Sequence, residues 1–180
     1  LPEKNGVASP AENLEEVEFY QKILDAITDL VLCKGPRSRI VWANKAFRDY
    51  YGMTNQQLHD MIDAPFNEPD FTKQYIKDDH YVFTTGHPLN IPDEPVTRFD
   101  GAVRNFHTVK SAIVDRNGSV RMTVGVSRDI TEQKHTQQEL SEYRKRLEDI
   151  VAARTKELED LSENLRVTLH AIAEGVISVD

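Results

Sequence analysis

Among the side chains that could do chemistry, this 180-residue chain has six histidines, one cysteine and 30 carboxylates, and their spacing limits what they can do. Asp78-Asp79-His80 with His87 has the residue types of a divalent-metal site. No second pair of ligands lies close in sequence, and the cluster falls near the end of a polar helix face. A solvated face is the expectation, and no metal is assigned. His135 and His170 fall on one long helical stretch. Neither stands in acidic surroundings followed by a proline, the setting of a phosphoacceptor histidine, so both are read as solvent-facing. His107 stands within an apolar strand and would titrate close to neutral pH, as a ligand hydrogen-bonding group or as a satisfied core histidine. The single Cys33 excludes an internal disulfide and suits a reducing compartment. Phosphate-binding glycine loops, metalloprotease spacing and a nucleophile elbow are absent, so no catalytic residue is assigned and the chain is not read as an enzyme.

A net charge of −8 without a basic stripe argues against a nucleic-acid partner, because phosphate contacts need clustered Lys and Arg. No apolar run approaches membrane-spanning length and no signal peptide is visible, so the expectation is a cytoplasmic segment without direct membrane contact. A membrane-anchored parent protein stays compatible with that.

The element that must organise the chain is the stretch from Glu132 to about Ile172, which holds neither Pro nor Gly and is rich in Glu, Lys, Arg, Gln and Leu. These residues favour helix at surface positions, and the helix would be about 60 Å long, too long for the core of one small domain. Leu140, Tyr143, Leu147, Val151, Arg154, Leu158, Leu161 and Leu165 follow one another at 3-4-4-3-4-3-4 spacing, continued by Thr168 and Ile172. That is a heptad seam with one extra four-residue step at Tyr143–Leu147–Val151, a stutter that locally unwinds a supercoil. The stripe is too narrow for a globular core face, which predicts a parallel two-stranded coiled coil and a homodimer.

The rest of the chain supplies a compact domain. Ser9-Pro10-Ala11-Glu12 is a helix start after a loose polar segment at residues 1–8, and Leu14, Val17, Tyr20, Leu24 and Ile27 carry an amphipathic helix to about Thr28. Leu30–Cys33 and Arg39–Trp42 read as strands around Gly35-Pro36. Short helices over Lys45–Tyr51 and Asn55–Met61 and a longer one over Phe71–Thr85 follow. Pro95–Phe99, Ala102–Asp115 and Val120–Arg128 read as strands joined at Asp100-Gly101 and Asn117-Gly118, dipeptides suited to positive φ. In the last strand Val120, Met122, Val124 and Val126 alternate with Arg121, Thr123, Gly125 and Ser127, which predicts that the apolar set faces the core. The order is that of an α+β domain on a five-stranded antiparallel sheet with a helical cap.

With these elements in place, Val41-Trp42-Ala43-Asn44-Lys45-Ala46-Phe47, Tyr51-Gly52-Met53-Thr54, Thr85-Gly86 and Gly125-Val126-Ser127-Arg128-Asp129-Ile130-Thr131-Glu132 resemble the motifs of a PAS domain, the sensory module of bacterial signalling proteins, over about Phe19 to Lys134. The resemblance implies a pocket between helical cap and sheet, lined from Phe47, Tyr51, Met61, Tyr75, Phe83, His107, Val109 and Met122. It also implies a relay at Asp129-Ile130-Thr131 into the following helix. Haem-binding members carry their ligand histidine earlier on the longer cap helix, near Tyr75 here, and flavin photosensors carry a reactive Cys in the cap, whereas Cys33 is on the first strand. Both comparisons argue against those cofactors and leave the ligand unknown, with a small organic molecule open.

Leu24-Asp25-Ala26-Ile27 through Leu32 recurs in part as Leu169-His170-Ala171-Ile172 through Ile177, about 145 residues on, an interval that suits one domain plus one connecting helix. The expected organisation is a flanking segment and helix at 1–18, a PAS domain at 19–131, a coiled-coil signalling helix at 132–172 and the start of a second, truncated PAS-like domain at 173–180. The resemblance implies a non-catalytic module. It would dimerise through the coiled coil and flanking helices and relay a ligand- or redox-dependent signal to an output domain of the same chain. The parent would be a histidine kinase or a cyclic-dinucleotide enzyme. The alternative is a constitutive dimerisation spacer that binds nothing.

Overall fold

In the computed structural model the described residues are 10–177, with side chains from 15 to 172; the loose segment expected at residues 1–8, the cap at Ser9 and residues 178–180 lie outside them. The chain divides into two units at Thr131/Glu132.

In the first unit, α1 (Pro10–Ala26) leads into β1 (Leu30–Lys34), a 3₁₀ turn (Pro36–Ser38) and β2 (Ile40–Ala43). The helical cap follows as α2 (Lys45–Tyr51), α3 (Asn55–Leu58) and α4 (Pro69–Thr85), then β3 (Leu89–Thr97), β4 (Val103–Val114) and β5 (Val120–Asp129). The strands form one sheet in the order β2-β1-β5-β4-β3, every neighbour antiparallel. The chain therefore has the α+β architecture that its strand and turn pattern predicts. β3 starts six residues before the predicted strand and contains two prolines. It tolerates them because it is an edge strand with an irregular register between Ile91 and Glu94. α3 stops at Leu58, short of the predicted Met61, because Asp60 takes a left-handed φ of 66° and Ile40 exchanges backbone hydrogen bonds with Asp60 and Met61.

The motif residues act as local fasteners. Gly52 and Gly86 close α2 and α4 in the left-handed conformation, at φ 62° and 70°, where any side chain would be strained. Thr54 and Gln57 form a reciprocal capping box on α3. Asn44 is fully buried and makes five hydrogen bonds: its Oδ1 accepts from Val31 N and Phe47 N, and its Nδ2 donates to the carbonyls of Leu24, Ile27 and Asp29. One side chain thus caps α2, spaces β1 and holds the end of α1. The apolar core comprises residues such as Leu30, Ile40, Phe47, Leu58, Val96 and Phe106, tied together by edge-on aromatic contacts of Tyr50 with Tyr51 and Phe106.

The second unit is a helix. α5 (Thr131–Ile177) runs five residues past the predicted end, so the second-domain strand aligned with Gly175–Ile177 is helical to Ile177. A helix satisfies its own backbone hydrogen bonds, whereas a strand needs a neighbour to do so. The side chains of Leu140, Leu147, Val151, Leu158, Leu161 and Leu165 are all more than half exposed.

Asn44→Ala should destabilise the domain by roughly 3 kcal/mol, because the backbone N–H groups of Val31 and Phe47 lose their buried acceptor and three part-buried carbonyls lose the Asn44 donor. Urea denaturation followed by far-UV circular dichroism measures this as a lower midpoint at unchanged slope. Asn44→Asp should not rescue it, since the three donated bonds are lost and a charge is buried.

Candidate functional site

A cavity of about 60 Å³ lies between the helical cap and the inner face of the sheet. Its position follows from strand parity. Leu30, Leu32 and Lys34 of β1, Thr108 and Lys110 of β4, and Thr123, Gly125 and Ser127 of β5 all point to the cap side. The register makes them neighbours: Lys34 pairs with Thr123, Leu32 with Gly125, and Thr108 with Ser127. The expected apolar face of β5 is therefore reversed. Thr123 is buried, whereas Val126 and its cross-strand neighbour Val109 are more than a third exposed on the opposite face. Small and hydroxylated residues on the inner face of β5 leave room for a polar interior.

That interior is built on Asp79 of α4, which is 5% exposed. Its Oδ2 accepts from Lys34 Nζ at 2.9 Å and from Ser38 Oγ at 2.5 Å, and its Oδ1 accepts from Lys110 Nζ at 2.7 Å. Burial alone would raise the Asp79 carboxyl, but the two ammonium groups outweigh it and hold the group below its ordinary value of 3.8. Tyr75, one turn earlier on α4, donates its hydroxyl to Pro95 O, and the Lys110 ammonium lies 5.6 Å from the centre of its ring.

The second buried carboxylate behaves in the opposite way. Glu94 Oε2 stands 2.5 Å from Thr108 Oγ1, which in turn is 2.8 Å from Ser127 Oγ. Burial pushes the Glu94 carboxyl up from 4.5, against the smaller pulls of Lys110 and Thr108. The third carboxylate, Asp63, accepts from Ala64 N, Asn67 Nδ2 and Thr72 Oγ1. A second cavity of about 240 Å³ adjoins the first; Asp79 and Thr123 line both. Its rim is the 3₁₀ turn, where Arg37 and Ser38 both adopt left-handed φ near 60°, an uncommon state for non-glycine residues that the Ser38–Asp79 bond helps to hold.

Of the residues expected to line a pocket, Phe47, Tyr51 and Tyr75 border the first cavity and Phe83 the second, while Met61 packs against the apolar core. His107, Val109 and Met122 are a correction: they stand on the opposite face of the sheet, one residue out of phase with Phe106, Thr108 and Thr123. The His107 Nε2 lies 2.6 Å from Asn90 Oδ1 in an exposed setting, so it is neither a core nor a pocket histidine. Asp79 is a correction too, buried rather than on a solvated face, whereas His80 and His87 are exposed. Sequence reasoning missed Lys34, Glu94 and Lys110. A signal was present: each lysine sits in an apolar strand in phase with residues such as Leu32 and Phe106. Among the described residues no group of three or more His, Cys, Asp or Glu is placed to hold a metal ion.

At the end of β5, Asp129 Oδ2 accepts from Arg104 at 2.8 Å and its Oδ1 accepts from Thr131 N at 2.9 Å. Thr131 Oγ1 accepts from Asn105 N, and Asn105 O accepts from Ile130 N. The Asp-Ile-Thr triplet is thereby fastened to β4.

Asp79→Asn should cost about 3–5 kcal/mol, because two ammonium groups stay buried without a counter-charge. The depressed Asp79 group stabilises the fold above pH 3.8, and that stability is lost as the pH falls through its lower folded value. Denaturation midpoints measured from pH 7 to pH 3 should fall less steeply in the variant than in the parent chain.

A family model described as the PAS fold matches residues 24–135. The aerobic respiration control sensor protein ArcB of Escherichia coli K12 is 27% identical over 159 residues, and the protein of that name from Shigella flexneri gives the same figures. The match covers 88% of this chain and 19% of either relative, so the chain spans about a fifth of their length. Among solved structures, the PAS domain of a protein from Colwellia psychrerythraea superimposes with a TM-score of 0.55 at 17% identity, covering 65% of this chain and 98% of that one. The phage VqmA–DPO complex superimposes with a TM-score of 0.56 at 20% identity, covering 74% and 62%. Sheet order, helical cap and family match agree: the chain belongs to the PAS-fold family, a sensory and regulatory module and not a catalytic one.

Proposed function

We propose that this PAS module senses a small molecule in the Asp79–Glu94 cavity and passes the resulting conformational bias through β5 into α5, which pairs with α5 of a second copy. The observation that carries the reading is the chain Glu94–Thr108–Ser127, which runs from the cavity wall to a residue two positions before Asp129. The Thr108 hydroxyl has one proton. With Glu94 ionised it donates to the carboxylate and accepts from Ser127; with Glu94 protonated it accepts from the acid and donates to Ser127. A change at the cavity thus reorients a hydrogen bond on the strand that leads to the relay. Asp129, Ile130 and Thr131 form the relay, because their bonds to Arg104 and Asn105 couple the end of β5 to the cavity-lining β4.

The seam from Leu140 through Tyr143, Leu147, Val151, Arg154, Leu158 and Leu161 to Leu165 supports a parallel homodimer, since each hydrophobic position is exposed in the single chain. The stutter makes the packing locally straight, where a shift between two core arrangements costs least. The likeness to ArcB supports a two-component parent with an output domain in the same chain. A second PAS-like domain after the helix and a cytoplasmic location belong to the same proposal. Among the described residues no helix is long and apolar enough to cross a membrane. The rival reading, a constitutive dimerisation spacer, makes the cavity a water-filled packing feature.

Two outcomes are expected. Sedimentation equilibrium should give a dimer, and replacing Leu158 and Leu161 with Asn should give a folded monomer; a monomeric parent chain at high micromolar concentration would sink the coiled coil. Asp129→Ala should cost only about 1 kcal/mol, because its two partners are partly exposed. In the full-length parent the variant should abolish the dependence of output on stimulus while the circular dichroism spectrum stays unchanged. Retained stimulus dependence would refute the relay and favour the spacer.

A further inference from the structure

The first cavity admits about two waters, and its two lysines face the three carboxyl groups of Asp63, Asp79 and Glu94. By itself it is neither roomy nor short of negative charge. The wall between it and the second cavity is thin. Lys34 lines the first cavity, Ser38 the second, and Asp79 and Thr123 line both. The wall is therefore one layer of side chains, in which Ser38 Oγ donates to Asp79 and accepts from Lys34 Nζ at 3.2 Å. The backbone that brings Ser38 there is strained. Arg37 and Ser38 hold left-handed φ of 62° and 60°, a pair of positions that Asn-Gly or Gly-Gly fills readily in a tight hairpin turn. Neither residue is a glycine or an asparagine, and each costs free energy there.

We infer that the turn at Pro36–Ser38 is a gate, latched shut by Ser38, whose swing away from Asp79 joins the two cavities into one ligand-sized space. This deepens the sensory reading and rests on it, since a gate matters only to a domain that admits a molecule. Three features make this turn the part that moves. Its ends are fixed: Lys34 pairs with Thr123 of β5, and Ile40 exchanges backbone hydrogen bonds with Asp60 and Met61. Its latch is a neutral hydroxyl. When Ser38 leaves, Asp79 keeps Lys34 on Oδ2 and Lys110 on Oδ1, so no buried charge is stranded. Its release also relaxes two strained residues, which offsets part of the lost hydrogen bond. Lifting α4 instead would pull Asp79 from both lysines at once, and breaking a buried ion pair is the costlier route. With the turn displaced, cavities of about 240 and 60 Å³ become continuous and reach the lower end of the small-molecule range, roughly 300 Å³. Strain held by a few specific contacts is the state in which a segment switches between two arrangements.

Thr123 is 3% exposed, so Thr123→Cys in a Cys33→Ser background places a single thiol in the wall. Its reaction with methyl methanethiosulfonate, in native buffer and in low urea, reads the opening. The expected result is labelling faster than global unfolding allows and nearly independent of urea, as local opening requires. Ser38→Ala, which removes the latch, should speed labelling at least tenfold. Arg37→Asn should slow it several-fold, because Asn accepts the left-handed backbone more readily than Arg. Should Thr123→Cys fail to fold, hydrogen exchange in the chain without it decides. There Ser38→Ala should speed exchange of the Gly35 amide, which donates to Arg39 O across the base of the turn, at least tenfold. The Ile40 amide, which donates to Met61 O, should keep its rate. Labelling only at the rate and with the urea dependence of global unfolding overturns the gate. Labelling rates that neither variant alters, or Gly35 and Ile40 amides that quicken together, overturn it as well. The measurement needs no ligand, so its failure removes this route of entry and leaves the sensory reading standing.

Discussion

A carboxylate held between two ammonium groups, out of water, is the interaction on which the rest of this domain depends. Asp79 connects α4 to β1 through Lys34, to β4 through Lys110 and to the 3₁₀ turn through Ser38. Desolvating one charge costs several kcal/mol, and the attraction offsets that only where the geometry is good and the remaining donors are satisfied. Here both carboxylate oxygens are used, and the oxygen facing Lys34 also takes the Ser38 hydroxyl. A cap fixed in this way lies over the sheet in one arrangement, where greasy packing would accept several. It also leaves a polar interior that a sealed apolar core could not offer.

The rest of the inner face is consistent with that interior. β5 turns Thr123, Gly125 and Ser127 inward and its valines outward, because only small or hydroxylated side chains leave the lysines room to reach Asp79. The cost appears on the other face of the sheet, where Val109 and Val126 are left partly exposed. Glu94 and Asp79 show how environment separates two carboxyl groups lining one cavity. One has two cations in hydrogen-bond contact and is held ionised; the other has a hydroxyl, with Lys110 only as a weaker pull, and burial raises it. The two carboxyl groups are thereby moved in opposite directions, Asp79 toward its charged form and Glu94 toward its neutral one.

Order in the cap and order at the exit from the sheet come from backbone bookkeeping of the same kind. Asn44 bonds five backbone groups around α1, β1 and α2, and Asp129 and Thr131 do the corresponding work where β5 ends. The difference lies in burial: Asn44 is fully enclosed, whereas Asp129 is partly exposed. The first is a structural bond that should not yield, and the second is weak enough to be made and broken.

Much of the fold was legible in the amino-acid order. The Asp-Gly and Asn-Gly turns and the uninterrupted run after Thr131 are local signals, and the elements they predict are present, although β3 begins six residues earlier, α3 ends at Leu58 and α5 runs five residues further. Local signals sufficed because propensity, capping and turn geometry act within a few residues. The direction in which each strand faces was not legible. Alternation of period two reveals that β5 has two different faces, but a slip of one residue exchanges them, and only the partner strands and the cap decide which is inside. His107, Val109 and Met122 were therefore placed in the pocket, and Lys34, Lys110 and Glu94 were not. Asp79 was read as solvated for a related reason: a charged residue on a helix is an ordinary surface group until its counter-charges arrive from strands far away in the chain. The sequence by itself determined which elements exist and the family to which they belong. The tertiary structure alone decided that the interior is polar, because that depends on charges 31 and 45 residues from Asp79 meeting it in a space that no local rule describes.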